Sequence, residues 1–281
     1  MLRDLLVQLG SYPDPTPTWA IDAAVGVAET FDAQLSAALC QVHIPRMSNV
    51  LADRLVHASE AIAAENAKSK ANALHLIECF AERVPEGRKG EQHVIDCGPT
   101  GTSRALAEHA RLHDLTILPV YEGSGGQWIA ETLVFDAGRP VLLLPKGGGT
   151  GHKFDKIVIG WDGGRSAARA LADALPWLAR ATSVTLVVIT GEKAQQHPGQ
   201  PRQHLADVRR HLDRHDVSAE CVEEPADGSD AGSALLRYCE RTGAELLVMG
   251  AYGHSRIRDF VLGGATRTVV AKPALPVLLS H

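Results

Sequence analysis

The chain has 281 residues, 45% of them apolar, and a net charge of −5 with histidine neutral. That length fits one large domain or two ordinary ones with a real core. The acidic balance and the lack of a long basic run argue against nucleic acid as the main partner. No apolar run reaches the roughly eighteen residues of a membrane helix, and MLRDLLVQLG turns polar too soon for a signal peptide.

In chain order, Asp4 to Leu9 reads as a strand, followed by a proline-rich loop and a helix over about 19–31. A strand from Leu35 to His43 precedes a long helix from about Ala52 to Arg83. Gln92 to Cys97 is a strand, Ser103 to Leu112 a helix, and Leu115 to Val120 and Pro140 to Leu144 are closing strands. The four glycines of PKGGGTGHK, Pro145 to Lys153, then mark a flexible linker.

Beyond the linker the order begins again. Lys156 to Trp161 is a strand, and RSAARALADALPWLAR is a helix with Leu171, Leu175 and Leu178 on one face. The β-branched run Val184 to Ile189 is a strand. A polar helix over about Gln203 to His215 leads to a strand at Ala219 to Glu223. Ser229 or Asp230 caps the next helix, which runs through Glu240 and which Gly243 stops. Strand Glu245 to Met249 follows, and PVLLS closes the chain. RDLLVQLG matches DKIVIGWD, HDLTILPV matches GAELLVMG, and RPVLLLP matches LPVLLSH, so an internal duplication of about 140 residues is expected. Apolar strands alternating with helices predict two tandem doubly wound α/β domains, at 1–147 and 153–281, with mainly parallel sheets of Rossmann-like type. Ligands in such sheets sit beyond the C-terminal strand ends, where strand order reverses. Asp162 and Gly250 both fall at that rim.

The last loop carries the chemistry. Two residues separate Gly250 from Gly253, and nine separate Gly253 from Gly263, before a helix that starts near Gly264. Free N–H groups and a helix N-terminus make a phosphate cradle, although the first two glycines also suit a plain tight turn. His254, Arg256, Arg258 and Arg267 are the strongest local basic group, either solvated or paired with phosphate. Asp162, in GWDGG, is a turn or cap residue or a ribose contact, with Ser166 the alternative cap. Trp161 is a packing residue or an aromatic edge over a base.

Two features bound the compartment and the metals. Cys40, Cys79, Cys97, Cys221 and Cys239 are scattered and odd in number, which predicts reduced core thiols in a cytoplasmic protein. No histidine tract pairs with cysteine at zinc spacing, so no metal site is expected.

The strand order, the G-x2-G-x9-G loop, the following TRTVV and the final PVLLS resemble the universal stress protein family in its tandem, two-domain form. The resemblance covers almost the whole chain and is thinner in the first half. It implies an adenine nucleotide, ATP ahead of others and with or without Mg²⁺, as the cofactor. Asp162 would approach ribose or adenine, and Ile189 would wall the base. Met249 and Gly250 would contact adenosine, and Gly253, Gly263 and Gly264 would face the phosphates with Thr266 nearby. Gly264 departs from the family pattern, which has serine or threonine there. In the first half Gly10 stands opposite Asp162, Val120 opposite Gly250, and the loop YEGSGGQW is shorter. SGG is a small anion nest at most, and that half is expected to be degenerate and kept for pairing. Family members pair through terminal strands, so an internal antiparallel contact is expected, with homodimerisation as a further option.

No Walker A or first-strand G-x-G-x-x-G is present, and His254 with Ser255 makes no triad, so no catalytic residue is named. The function implied is regulation or protection in a stress response. A nucleotide-independent, partner-binding protein and a slow ATPase are the alternatives.

Overall fold

The structure is a computed structural model, and it describes residues 2–45, 58–98, 104–147, 154–191, 201–251 and 264–281. Among these residues the strands are β1 (Asp4–Gly10), β2 (Gln34–Val42), β3 (Lys89–Cys97), β4 (Leu115–Val120), β5 (Val141–Pro145), β6 (Lys156–Gly160), β7 (Ser183–Thr190), β8 (Ala219–Pro225), β9 (Leu246–Gly250) and β10 (Val277–Ser280). Among the described residues the α-helices are α1 (Trp19–Phe31), α2 (Ala58–Arg83), α3 (Arg104–Ala110), α4 (Gly126–Asp136), α5 (Arg165–Leu178), α6 (Pro201–Asp213), α7 (Ala231–Thr242) and α8 (Gly264–Ala271).

The strands form one continuous sheet in the order β3-β2-β1-β4-β5-β10-β9-β6-β7-β8. Every neighbouring pair is parallel except β5 and β10, which run antiparallel with Leu142 opposite Leu278. Each set of five strands repeats one order, and the terminal strands of the two sets meet at the seam. The antiparallel contact expected from the duplicated VLLLP and VLLS segments is this pair.

The inner strands are buried on both faces, as their unbroken apolar runs require, while the edge strands β3 and β8 keep exposed positions along their length. Two cores result, one on each side of the sheet. One side packs α1, α2, α5 and α6 around residues such as Leu5, Phe80, Ile159 and Trp177. The other packs α3, α4, α7 and α8 around Leu6, Leu133, Val158 and Val269. Both cores cross the seam. On the first side Phe31 and Phe154 meet the buried Trp177 edge-on, with ring centroids at 4.5 and 4.8 Å. Such pairs add about 0.5–1.5 kcal/mol beyond area burial.

Several sequence expectations change in detail. The closing strands of the first half are not consecutive, because α4 lies between β4 and β5. Ile129, Ala130, Leu133 and Val134 are its buried stripe, a helical period that the glycine-rich start at Gly125 and Gly126 masked. Strand β3 begins at Lys89, after a short 3-10 turn at Glu86–Arg88. The start of the long second helix, before Ala58, lies outside the described residues.

The expectation of five reduced thiols is wrong for two of them. Cys40 and Cys97 form a disulfide across 57 residues of sequence, between neighbouring strands β2 and β3. Sequence spacing carried no sign of it, because only the strand register brings the two Cα atoms to 5.4 Å. Cys79 and Cys239 are buried and free, Cys221 is exposed and free, and burial pushes Cys239 up to about 12.

Candidate nucleotide site

In the second five strands, β6 lies between β9 and β7, so strand order reverses between β6 and β9. The crevice outside those C-terminal ends is the binding position of an open α/β sheet. Asp162, two residues beyond β6, and Gly250, the last residue of β9, both stand on it.

Asp162 is exposed, and its Oδ1 accepts the N–H of Gly164 at 2.8 Å. It closes the turn in which Gly163 has φ +75°. The N-cap of α5 is Gly164, with no side-chain cap. Neither Asp162 nor Ser166 therefore caps the helix. Ser166 sits inside the first turn, 2% exposed, and its Oγ has no hydrogen-bond partner among the described residues. Trp161 packs against the first core, and its backbone N–H donates to the carbonyl of Val187 at 2.9 Å.

Ile189 is half-buried against the second core near the end of β7. Met249 is 5% exposed and sits between Gly160 of β6 and Leu279 of β10. Gly250 has a steric reason of its own. A Cβ there would lie 2.5 Å from the carbonyl carbon of Ser166 and against the amide nitrogen of Ala167. The first turn of α5 thus rests on the bare backbone of Gly250, so this glycine serves packing whatever it binds.

Gly253, His254, Arg256 and Gly263 lie outside the described residues. Gly264 opens α8, and none of the described residues stands within 4 Å of the position its Cβ would take. Thr266, two residues on, is 4% exposed, so its side chain turns into the protein.

A group that sequence reasoning saw only as a cap fixes where α8 lies. Asp230 caps α7, accepting the N–H groups of Gly232 at 2.9 Å and Ser233 at 3.2 Å and the Ser233 hydroxyl at 2.5 Å. Thr268 of α8 faces the same carboxylate and helps to lower it. Burial alone would raise this carboxyl, but the hydrogen bonds outweigh it and hold the group below its usual value. Beside it, Gly232 lies directly against the backbone of Ala265. The helix that receives the glycine loop is therefore clamped to α7 within its first turn and a half.

The equivalent crevice of the first half, between β1 and β4, is filled by its own chain. Thr16 Oγ1 accepts the N–H of Gly10 at 2.8 Å and shares a hydrogen bond of 3.1 Å with the hydroxyl of Tyr121. Burial pushes that phenol up. From α2, Ser69 Oγ bonds to Ser11 Oγ at 2.7 Å and accepts the N–H of Val42 at 2.9 Å, and Asn72 donates to the carbonyl of Ser11. In the SGG nest, Ser124 Oγ accepts the N–H groups of Tyr121 and Gly126, both at 3.3 Å. Those donors are spent within the loop.

At the opposite ends of β1, β2 and β3 lies a cavity of about 520 Å³ bordered by Asp4, Ser36, Glu91, His93, His109 and His113. The rings of His93 and His109 stack with centroids 4.3 Å apart. Burial and then the neighbouring His93 and His113 push His109 down from its usual value. Among the described residues no group of three or more His, Cys, Asp or Glu is placed to hold a metal ion. None of the described helices is long and apolar enough to cross a membrane.

Comparison with known proteins converges on one family. The sequence model of the universal stress protein family matches residues 153–281. Universal stress protein Slr1230 of Synechocystis is 32% identical over 203 residues, which are 72% of this chain and 61% of that protein. This chain thus spans less than two thirds of that curated relative. A universal stress protein from Archaeoglobus fulgidus superposes with a TM-score of 0.64 at 13% identity, covering 98% of this chain and 97% of its own. A Pseudomonas aeruginosa protein assigned provisionally to the same family gives 0.54 at 16% identity, covering 99% and 93%. At such identities the likeness is one of fold.

Proposed function

Because the chain belongs to the universal stress protein family, we propose that it is a stress-response protein whose second half, 153–281, binds an adenine nucleotide, ATP ahead of ADP and AMP, and acts by regulation or protection. The first half, 1–147, is then a degenerate copy that pairs with it. The convergence at the β6–β9 crevice carries this proposal. Asp162, Ile189, Met249 and Gly250 stand at three adjacent strand ends, and α8 begins at the far end of the same glycine loop. Asp162 suits ribose hydroxyls, since a carboxylate beside phosphates would be repelled without a cation. Ile189 offers the base an apolar wall, and the N-terminus of α8 with the loop amides favours phosphate. The polar side chains that fill the first-half crevice support one site rather than two.

Calorimetry with ATP, ADP and AMP on the full chain tests this, together with mass spectrometry of small molecules released on denaturation. Binding at one site per chain, abolished by Gly253→Val in a folded variant, is the expected result. Binding that survives Gly253→Val overturns the site, and no binding at millimolar nucleotide overturns the function.

One observation favours a second reading. Among the described residues nothing crowds Gly264, yet it carries no side chain, so phosphate lacks the hydroxyl of the family pattern. A protein that acts by binding a partner without nucleotide would tolerate that loss. A slow ATPase would need a group that orients water. Phosphate release from bound ATP is the measurement that separates it from a sensor.

A further inference from the structure

The glycine loop leaves the sheet at Ala251, and two contacts hold that residue. Its N–H donates to the carbonyl of Ser280 at 2.8 Å. Its carbonyl accepts the Nδ1 proton of His281 at 2.9 Å, which fixes the tautomer of that ring. Nε2 is buried and has no hydrogen-bond partner among the described residues, so among them the bond to Ala251 is the one that holds the ring. The edge of the ring meets Phe135, with centroids 5.0 Å apart and planes at 70°. Phe135 belongs to α4, in the first half, and is the last aromatic on its exposed side. A side chain of the first half therefore bears on the residue that fixes the base of the second half's loop.

We propose that His281 is a positioning residue for the glycine loop, and that Phe135 sets its ring, so that the first half governs nucleotide affinity in the second without binding nucleotide itself. This rests on the second half being the nucleotide site. It gives the filled first half a task that sheet pairing alone does not supply. The physical basis is local. Without the imidazole donor the Ala251 carbonyl loses its partner at the point where strand order gives way to loop, and buried carbonyls are costly to leave unpaired. Without Phe135 the ring loses one wall, and the donor is no longer held on the carbonyl.

The test uses the full chain and compares affinities for ATP and adenosine by calorimetry in wild type, His281→Phe, His281→Gln, Phe135→Ala and the double variant Phe135→Ala/His281→Phe. His281→Phe keeps a ring and removes the donor, and it should weaken ATP about fivefold while adenosine changes less, because the phosphates lie further along the loop. His281→Gln, which retains a donor, should recover part of the loss. Phe135→Ala should weaken ATP about threefold, and the double variant should be no worse than His281→Phe alone, the non-additivity of two residues acting through one contact. Equal losses for ATP and adenosine that track a fall in melting temperature would reduce His281 to a stability role and overturn the proposal. So would unchanged ATP affinity in Phe135→Ala. If wild type binds while the variants match it, only this inference fails; if wild type binds no adenine nucleotide, the functional reading fails and takes this one with it.

Discussion

The Asp230 carboxylate caps α7 and is lowered in part by Thr268 of α8, and so joins the N-terminus of α7 to the helix that follows the glycine loop. One side chain thereby does two jobs, capping α7 and fixing α8. Asp230→Ala should destabilise the chain by about 1–2 kcal/mol, the cost of a lost cap, and should weaken nucleotide binding as α8 loosens. Urea denaturation with calorimetry alongside checks both. The pH dependence has a definite sign. The folded carboxyl lies below its ordinary 3.8, so its contribution is present above that value and lost as the pH falls through the folded one. The stability gap between wild type and Asp230→Asn should therefore be constant near neutrality and close only below about pH 4.

Gly250 and Gly264 should respond oppositely to an added side chain. At Gly250 a Cβ meets the backbone of Ser166 and Ala167, which cannot give way without shifting α5. Gly250→Ala should cost about 1–3 kcal/mol, the usual range for overpacking, or prevent folding. Thermal denaturation measures it, and a loss below about 0.5 kcal/mol would show that α5 yields.

At Gly264 none of the described residues stands in the way of a side chain, so Gly264→Ser should fold at least as well as wild type. If the missing hydroxyl limits phosphate binding, ATP affinity should rise by about 1–2 kcal/mol, with smaller gains for ADP and AMP. Equal gains for all three would place the residue near the ribose or first phosphate. Weaker ATP binding in a folded variant would show that the hydroxyl explanation is wrong.

The histidine cavity predicts acid sensitivity in the first half. Burial, then His93 and His113, lower His109, while Glu108 and Glu91 oppose the shift. A histidine held below its unfolded value binds its proton more readily when unfolded. Its contribution is complete above about 6.5 and is lost as the pH falls through that value toward the folded one. Melting temperature should fall between pH 7 and 5, and His109→Gln should flatten that slope. An unchanged slope would assign the acid response to other groups.

The Cys40–Cys97 bond predicts that iodoacetamide labels three cysteines, Cys79, Cys221 and Cys239, in unfolded but unreduced protein, and all five after reduction. Closing a loop of 57 residues stabilises by about 4 kcal/mol in the chain-entropy estimate. Reductant should lower the melting temperature accordingly. Labelling of all five without reductant would restore the reduced state expected from sequence, and with it one support for a cytoplasmic location.

How much the sequence determines follows from the range of each interaction. Strands and helices are local patterns, so β6, α5, β9 and the duplicated order were legible from apolar period alone. A cap at Ser229 or Asp230 and the Gly243 stop were legible too, because cap chemistry involves residues within one turn, and the structure gives the cap to Asp230. The glycine spacing pointed to a loop and a ligand class through family likeness. Helix α4 was missed because its glycine start reads as loop and its packing is settled by α8 across the seam. What only the tertiary structure decided is which distant residues meet. Register brings Cys97 to Cys40, α2 lays Ser69 and Asn72 over the first crevice, α5 comes to rest on Gly250, and the β5–β10 junction carries Phe135 to His281. None of these has a sequence period, because each is set by how whole elements pack rather than by the propensity of any one segment.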